Sequence, residues 1–146
     1  GARPDRPFHY QIGNLYTSIK TASFAIASSG TVTLECAYFR VPTIVVYRAH
    51  PLTFYIGKKL VQTPFLAMPN ILCGRDIFPE YLQDDLTPEA LTQQAISWLD
   101  SDEELPEIRR QLEDLVASLG DTGASYRAVY TIWKTFSDSP KSPAKD

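Results

Sequence analysis

Four small residues, Ser28, Ser29, Gly30 and Thr31, follow a short apolar run, Phe24 to Ala27, and precede helix-type spacing that continues to Phe39. A turn of this kind between a strand and a helix leaves the first-turn N–H groups of the helix without intrahelical acceptors. The helix dipole adds positive character at the same place, and together they favour an anion such as phosphate. Glu35 lies four positions after Thr31, so the two side chains share a helix face. Because helical side chains lean toward the N-terminus, Glu35 reaches the zone in front of the turn. A carboxylate touching the anion would repel it. Glu35 therefore suits neutral hydroxyls a few ångströms away, and a diol such as a ribose fits that chemistry. The same residues also suit a bare strand-to-helix connection with Glu35 as a solvated helix residue, since the turn is neither a P-loop nor a G-x-G-x-x-G fingerprint.

Other residues with chemical potential are more scattered. In Phe65 to Arg75 a strand-like start breaks at Pro69, and Asn70 is expected in a loop with Gly74 and Arg75. A loop asparagine ordinarily bonds its own backbone, and Arg75 suits either a surface ion pair or a phosphate clamp. His9 and His50 have no partner constellation in the sequence. Cys36 and Cys73 lack the number and spacing of a disulfide framework or a zinc site. Cys36 reads as a small buried hydrophobe, and no metal or other cofactor is expected.

The elements that must position these residues alternate in type. Ser23 to Ala27 is apolar enough for a strand buried on both faces, and the β-branched run Thr43 to Tyr47 after Pro42 gives a second strand. With the helix between them they form a strand–helix–strand unit of a parallel sheet, in which ligands sit at the carboxyl ends of strands. In that helix Val32, Cys36 and Phe39 are spaced for one inner face. Before it, Phe8 to Gln11 reads as a strand and Asn14 as the N-cap of a helix through Lys20, with Leu15 and Ile19 on its inner face.

Downstream, a helix is expected from Leu52 to about Val61 with Pro51 as a first-turn residue, and its aromatic and basic residues suit core packing or a membrane surface. Glu80 to Gln83 is expected as a short helical piece. Thr87-Pro88-Glu89 is a strong start for a helix carrying Leu91, Ala95, Trp98 and Leu99. The acidic run Asp100 to Glu104 leads to a helix from near Pro106 to before Gly120, and Ala124 to Phe136 forms a last helix presenting Tyr126, Val129, Tyr130 and Trp133. Residues 1–136 read as one domain and 137–146 as a disordered tail.

Bulk properties narrow the function classes. The 146 residues suffice for one core, with 44% hydrophobic and 21% charged residues, and the net charge of -3 offers no basic footprint for nucleic acid. No apolar run approaches the roughly 20 residues of a membrane-spanning helix. No charged-then-apolar leader is read, and two cysteines without disulfide spacing fit a reduced, cytoplasmic setting. The opening Gly-Ala-Arg-Pro-Asp-Arg-Pro leads almost at once into a strand-like run, as an excised piece of a longer protein would.

Taken together, Ala27-Ser-Ser-Gly-Thr-Val-Thr-Leu-Glu35, Pro42-Thr-Ile-Val-Val-Tyr-Arg48, Leu52-Thr-Phe54, Leu60-Val61, Met68-Pro-Asn-Ile-Leu-Cys-Gly-Arg75 and Pro79-Glu-Tyr-Leu-Gln83 closely resemble the carboxyl-terminal half of the lipid-A-disaccharide synthase family. The resemblance runs from Gly13 to Trp98 in one register. The Ser-Gly-Thr…Glu element alone occurs in many nucleotide-sugar glycosyltransferases, whereas the Pro-Asn-Ile-Leu-x-Gly-Arg and Leu-Gln elements at these distances narrow the match. The resemblance implies an α/β fold: a partial Rossmann-like parallel sheet with flanking helices, the second domain of a glycosyltransferase B fold, followed by a helical carboxyl-terminal part.

It also implies an activity. That family transfers 2,3-diacylglucosamine from its UDP derivative to 2,3-diacylglucosamine 1-phosphate by an inverting, metal-free displacement that releases UDP. It works as a peripheral protein on the cytoplasmic face of the inner membrane of Gram-negative-type bacteria. On the matching positions Ser29, Gly30 and Thr31 would contact the diphosphate, Glu35 the ribose hydroxyls, and Asn70 the donor near its phosphates or sugar. Arg75 and Gln83 also match the family pattern as substrate-binding positions. The family's amino-terminal domain, with the acceptor site and the acidic general base, has no counterpart in these 146 residues, nor has the Pro-Gly-Ser-Arg stretch that opens its carboxyl-terminal domain. The chain alone is therefore expected to bind nucleotide weakly and not to turn over. A homo-oligomer is compatible with this. Two other readings remain: a non-catalytic nucleotide-binding or assembly module of the same fold, and another UDP-sugar enzyme such as the peptidoglycan N-acetylglucosaminyltransferase, which the Pro69-Asn70 segment disfavours.

Overall fold

The structure, a computed structural model, describes residues 10–50, 63–120 and 123–137. Its described residues form α1 (Leu15–Thr21), β1 (Ala25–Ser28), α2 (Thr31–Tyr38), β2 (Thr43–Tyr47), α3 (Met68–Cys73), β3 (Glu80–Leu82), α4 (Pro88–Asp100), α5 (Glu104–Ser118) and α6 (Ala124–Ser137). By contacts the chain divides into two compact units, Gly1–Val116 and Ala117–Asp146.

The first unit is built on a parallel sheet in the order β1-β2-β3. Its centre is β2, where Thr43, Ile44 and Val45 are all fully buried. Consecutive strand residues point to opposite faces, so β2 is covered on both, which suits its unbroken β-branched run. The expected strand–helix–strand unit is present as β1-α2-β2. The core joins Cys36 and Ala37 of α2 to Val45, Phe78, Leu112 and Leu115. Burying a side chain such as Phe78, at 0% exposure, contributes roughly 1.5–3 kcal/mol. On α2 the inner face is Thr33, Cys36 and Ala37, with Val32 and Phe39 packed at its margin.

Several local expectations change. Tyr10 and Gln11 are irregular rather than part of a strand, and Phe8 and His9 lie outside the described residues. Asn14 does precede α1, but through a left-handed backbone (φ 56°, ψ 30°) and with no side-chain cap bond. Ile19 is buried while Leu15 is half exposed, so α1 buries a narrower stripe than expected. The first strand is displaced to Ala25–Ser28 and is not buried on both faces. Its residues alternate in exposure and Ile26 is 52% exposed, because β1 lies at the end of the sheet with only β2 as a described neighbour. Pro69 does not break a strand; it sits in the first turn of α3, where its missing N–H costs nothing. Asn70 is accordingly helical, not in a loop. Glu80–Leu82 is a third parallel strand rather than a helical piece, followed by a 3-10 turn over Gln83–Asp85.

The helices after it follow their caps. The Thr87 hydroxyl accepts from the Ala90 amide at 3.2 Å, and Pro88 opens α4. Trp98 is buried and meets Phe24 edge to face at 5.7 Å, whereas Leu99 points outward. Helix α5 begins two residues earlier than Pro106, because the Ser101 hydroxyl accepts from the Glu103 and Glu104 amides. In the second unit Val129, Tyr130 and Trp133 of α6 are exposed, and the Tyr130 and Trp133 rings lie 6.4 Å apart. The Tyr126 side chain, the expected helix from Leu52 to Val61 and the tail from 138 onward lie outside the described residues.

Candidate functional site

The register aligns Ser28 with Val46 and Val46 with Tyr81. The segments that leave the three strands, Ser29–Gly30, Arg48–Ala49 and Gln83, therefore emerge together at the carboxyl edge of the sheet, where open parallel sheets bind ligands.

Gly30 occupies the N-cap position of α2 at φ 155°, ψ -169°, a region that is essentially glycine's alone. A Cβ placed there would meet nothing within 4 Å, so glycine is required by the backbone and not by crowding. As a glycine, the N-cap residue has no side chain with which to cap α2. The Thr33 amide and hydroxyl both turn back to the Gly30 carbonyl, at 3.1 and 2.7 Å. Among the described residues the Thr31 and Val32 amides have no acceptor, which leaves two donors at the positive end of a helix dipole.

Ser29 contributes differently. Its amide continues the sheet by donating to Val46 at 3.1 Å, and its hydroxyl donates to the Leu66 carbonyl at 3.1 Å. With that proton committed, Oγ offers a ligand only lone pairs, suited to a hydroxyl and not to a phosphate oxygen. Thr31, by contrast, is exposed.

Glu35 is half-buried, and its Oε2 atom is enclosed with no hydrogen-bond partner among the described residues. Buried polar atoms in folded proteins are nearly always bonded, so an orphan of this kind marks a place for a donor that the chain itself does not supply. Beside it, burial pushes the Cys36 thiol up; Glu35's charge adds to this, against a hydrogen bond with Thr43. Cys36 is part of the core, as its position suggested, and not a nucleophile.

Asn70 is fully buried. Its Nδ2 donates to Phe78 O at 2.8 Å, Glu80 Oε1 at 2.9 Å and Asp76 Oδ1 at 3.3 Å. Its Oδ1 accepts from the Ile77 and Phe78 amides at 3.0 and 2.9 Å. The amide is thus saturated by protein groups. The Asp76 carboxyl is pushed up, first by burial and then by the Glu80 charge, with the Asn70 bond opposing. Glu80 itself accepts from Leu66 N at 2.9 and 3.1 Å and from Ala67 N at 2.9 Å.

Gln83 also spends its amide on the protein: Oε1 accepts from Ala49 N at 2.7 Å and Nε2 donates to Ala49 O at 2.9 Å. The Arg48 guanidinium donates to the Gln83 and Leu86 carbonyls, both at 3.0 Å. Arg75 is exposed and lies near enough to Glu107 of α5 for its charge to lower that carboxyl.

The structure therefore brings Ser29, Gly30, Thr31 and Glu35 together around the α2 terminus and sets Gln83 on the same edge. It encloses Asn70 behind that edge, and among the described residues no contact joins Arg75 to the Gly30 turn. Glu80 was not singled out from the sequence, because a glutamate opening a three-residue strand has no distinguishing pattern. Its partners are the Leu66 and Ala67 amides, and backbone donors leave no mark in the sequence that would point to it.

Comparison with known proteins agrees with the motif reading. Residues 3–131 match the family model described as Lipid-A-disaccharide synthetase. Among curated proteins the chain is similar to the lipid-A-disaccharide synthase of Sulfurihydrogenibium sp. (strain YO3AOP1), 42% identical over 77% of this chain and 29% of that protein. It is 38% identical to that of Persephonella marina over 78% of the chain and 30% of the protein. It is 35% identical to that of Cellvibrio japonicus over 88% of the chain and 33% of the protein. The matches thus span about a third of these relatives' length. Among the described residues no helix is long and apolar enough to cross a membrane. With its α/β architecture and an almost end-to-end match to the family model, the chain belongs to the lipid-A-disaccharide synthase family.

Proposed function

We propose that this chain supplies the donor-nucleotide site of an inverting glycosyltransferase that joins two acylated glucosamines into lipid A disaccharide 1-phosphate. The observation that carries the reading is the Oε2 of Glu35, which has no hydrogen-bond partner among the described residues, one turn into a helix whose first amides are likewise without described acceptors. A nucleoside diphosphate fits the two together. Its diphosphate takes the Thr31 and Val32 amides, and its ribose diol donates to Glu35 and to the free lone pairs of Ser29 Oγ.

In the reaction the bond between the anomeric carbon and the UDP oxygen breaks while the acceptor's 6-hydroxyl oxygen bonds to that carbon from the opposite face. Negative charge grows on the departing diphosphate, and the α2 terminus stabilises it without reorganising. The acceptor's proton passes to a base outside this chain, which is why the chain alone would bind and not turn over. The donor, UDP-2,3-diacylglucosamine, and its acceptor, 2,3-diacylglucosamine 1-phosphate, are lipids, so the complete enzyme works at the cytoplasmic surface of the inner membrane.

Calorimetric titration with UDP and with its 2′,3′-dideoxy analogue tests the site. The wild-type chain should bind UDP more tightly than the analogue, and Glu35→Ala should shrink that difference to the share that Ser29 Oγ supplies. Equal affinities in the wild-type chain would remove Glu35 from the ribose. Turnover of UDP-diacylglucosamine by the chain joined to the family's amino-terminal part, and not by the chain alone, would establish the catalytic half of the proposal.

A further inference from the structure

One carboxylate near the site has no role in the reading above. Glu80 opens β3, yet its side chain reaches across to a different segment. Both of its oxygens accept from Leu66 N and one also accepts from Ala67 N. Those amides lie just ahead of α3, on its N-cap residue Ala67 and on the residue before it. Leu66 is held from its other side as well, since its carbonyl accepts the Ser29 hydroxyl at 3.1 Å. The same Glu80 oxygen receives Asn70 Nδ2 at 2.9 Å, and Asn70 is locked by the Ile77 and Phe78 backbone.

We infer that Glu80 is a positioning residue for the nucleotide site, acting through Leu66 on Ser29, and that Asn70 serves the site by orienting Glu80 and not by touching the donor. The inference rests on the proposed UDP site for its functional meaning.

Two consequences follow from the bonds. Fixing Leu66 fixes which way the Ser29 hydroxyl points, and therefore which side of Oγ keeps its lone pairs for a ligand hydroxyl. Fixing Leu66 also sets the backbone wall beside the Gly30 turn. Charge matters in each: a glutamine would offer one acceptor to the two amides and turn an N–H₂ donor toward either them or the Asn70 donor.

The test uses the 146-residue chain with Glu80→Gln, Glu80→Asp and Ser29→Ala, read by UDP calorimetry, thermal unfolding and backbone NMR. Glu80→Gln should weaken UDP binding by about tenfold, as loss of charge-assisted bonds at this wall predicts. It should also shift the Ser29, Gly30 and Thr31 amide resonances without ligand. Ser29→Ala in the Glu80→Gln background should add little, because Glu80 acts through Leu66 on Ser29 and its loss already misdirects that hydroxyl. Glu80→Asp keeps the charge and should recover part of the affinity.

A lower melting temperature with unchanged UDP affinity would make Glu80 merely structural and overturn the inference. Unmoved Ser29–Thr31 resonances in Glu80→Gln would overturn it too, whether or not UDP binds. Failure of the wild-type chain to bind UDP, with the resonances shifted, would instead overturn the proposed nucleotide site and leave the Glu80–Leu66–Ser29 linkage standing as the orienting device of that turn.

Discussion

Replacing Gly30 by alanine isolates a backbone effect, because the added methyl group would touch nothing within 4 Å. The whole cost then comes from the torsions, φ 155° and ψ -169°. Holding a side-chain-bearing residue in that region costs about 1–3 kcal/mol. Alanine also restricts the unfolded chain, which offsets about 0.4–1 kcal/mol. A net loss of roughly 1–2 kcal/mol follows, or about 3–6 °C of melting temperature for a chain of this size. Gly74 provides the internal control. It closes α3 in the ordinary left-handed conformation, φ 63° and ψ 20°, also with open space around it. That geometry is less costly for alanine, about 1–2 kcal/mol before the same offset, so Gly74→Ala should be the milder change. Urea unfolding of the three proteins, with equal m-values as the check on two-state behaviour, reads the difference directly. If Gly30→Ala is as stable as the parent, the turn does not need its glycine torsions to place the Thr31 and Val32 amides. If it is destabilised as expected, alanine relaxing toward negative φ should rotate those amides and weaken UDP binding as well.

Two further outcomes are expected. Asn70→Ala leaves the buried Ile77 and Phe78 amides and the Phe78 carbonyl unpaired, and at about 1–3 kcal/mol for each orphaned group, reduced by water entry, it should cost roughly 3–5 kcal/mol in urea unfolding; a loss under about 1 kcal/mol would contradict its role as a buried anchor. Glu107, held down first by hydrogen bonds from Arg110 and Gln111 and then by the charges of Arg110 and Arg75, should titrate at about 2 instead of 4.5 in a carboxyl NMR titration. Since its folded-state value is depressed, the stability it contributes is present above 4.5 and lost as pH falls toward 2; Arg110→Ala or high salt should return the titration toward 4.5, and an ordinary titration in the parent chain would refute the assignment.

The sheet's centre and the later helices were legible because one local signal sufficed for each. Thr43–Tyr47 is β-branched, follows a proline and is buried on both faces; Thr87-Pro88 carries its own cap. The Ser28–Thr31 turn was legible for the same reason, since small residues before a helical pattern leave few alternatives. Elsewhere the deciding partner lay far along the chain. Ile26 reads as core until the strand order places it at the end of the sheet. Pro69 breaks a strand and begins a helix with equal ease, and only the Glu80 carboxylate on the amides before it, 13 and 14 positions away, shows which. Glu80–Leu82 is too short for any periodicity, and it is a strand because β2 offers it an edge. Asn70 carried a chemical signal without a direction: its amide could equally face a ligand or the interior, and the 76–80 segment claims it.

Gln83 does by side chain what a strand does by backbone. Its carboxamide meets Ala49 with one donor and one acceptor, the same pairing that a peptide group would make, just past the last paired residues Tyr47 and Leu82. The sheet is in effect longer by one rung than its strands. That spare rung frees the main chain at residue 83 to turn into a left-handed conformation, φ 52°, and wind into the 3-10 turn while the edge above it stays closed. Arg48 then ties both ends of that turn, the Gln83 and Leu86 carbonyls, back to the exit of β2. The side chains of Asp84 and Asp85 are thus open to change without disturbing the rim, provided that the carboxamide and the guanidinium stay in place.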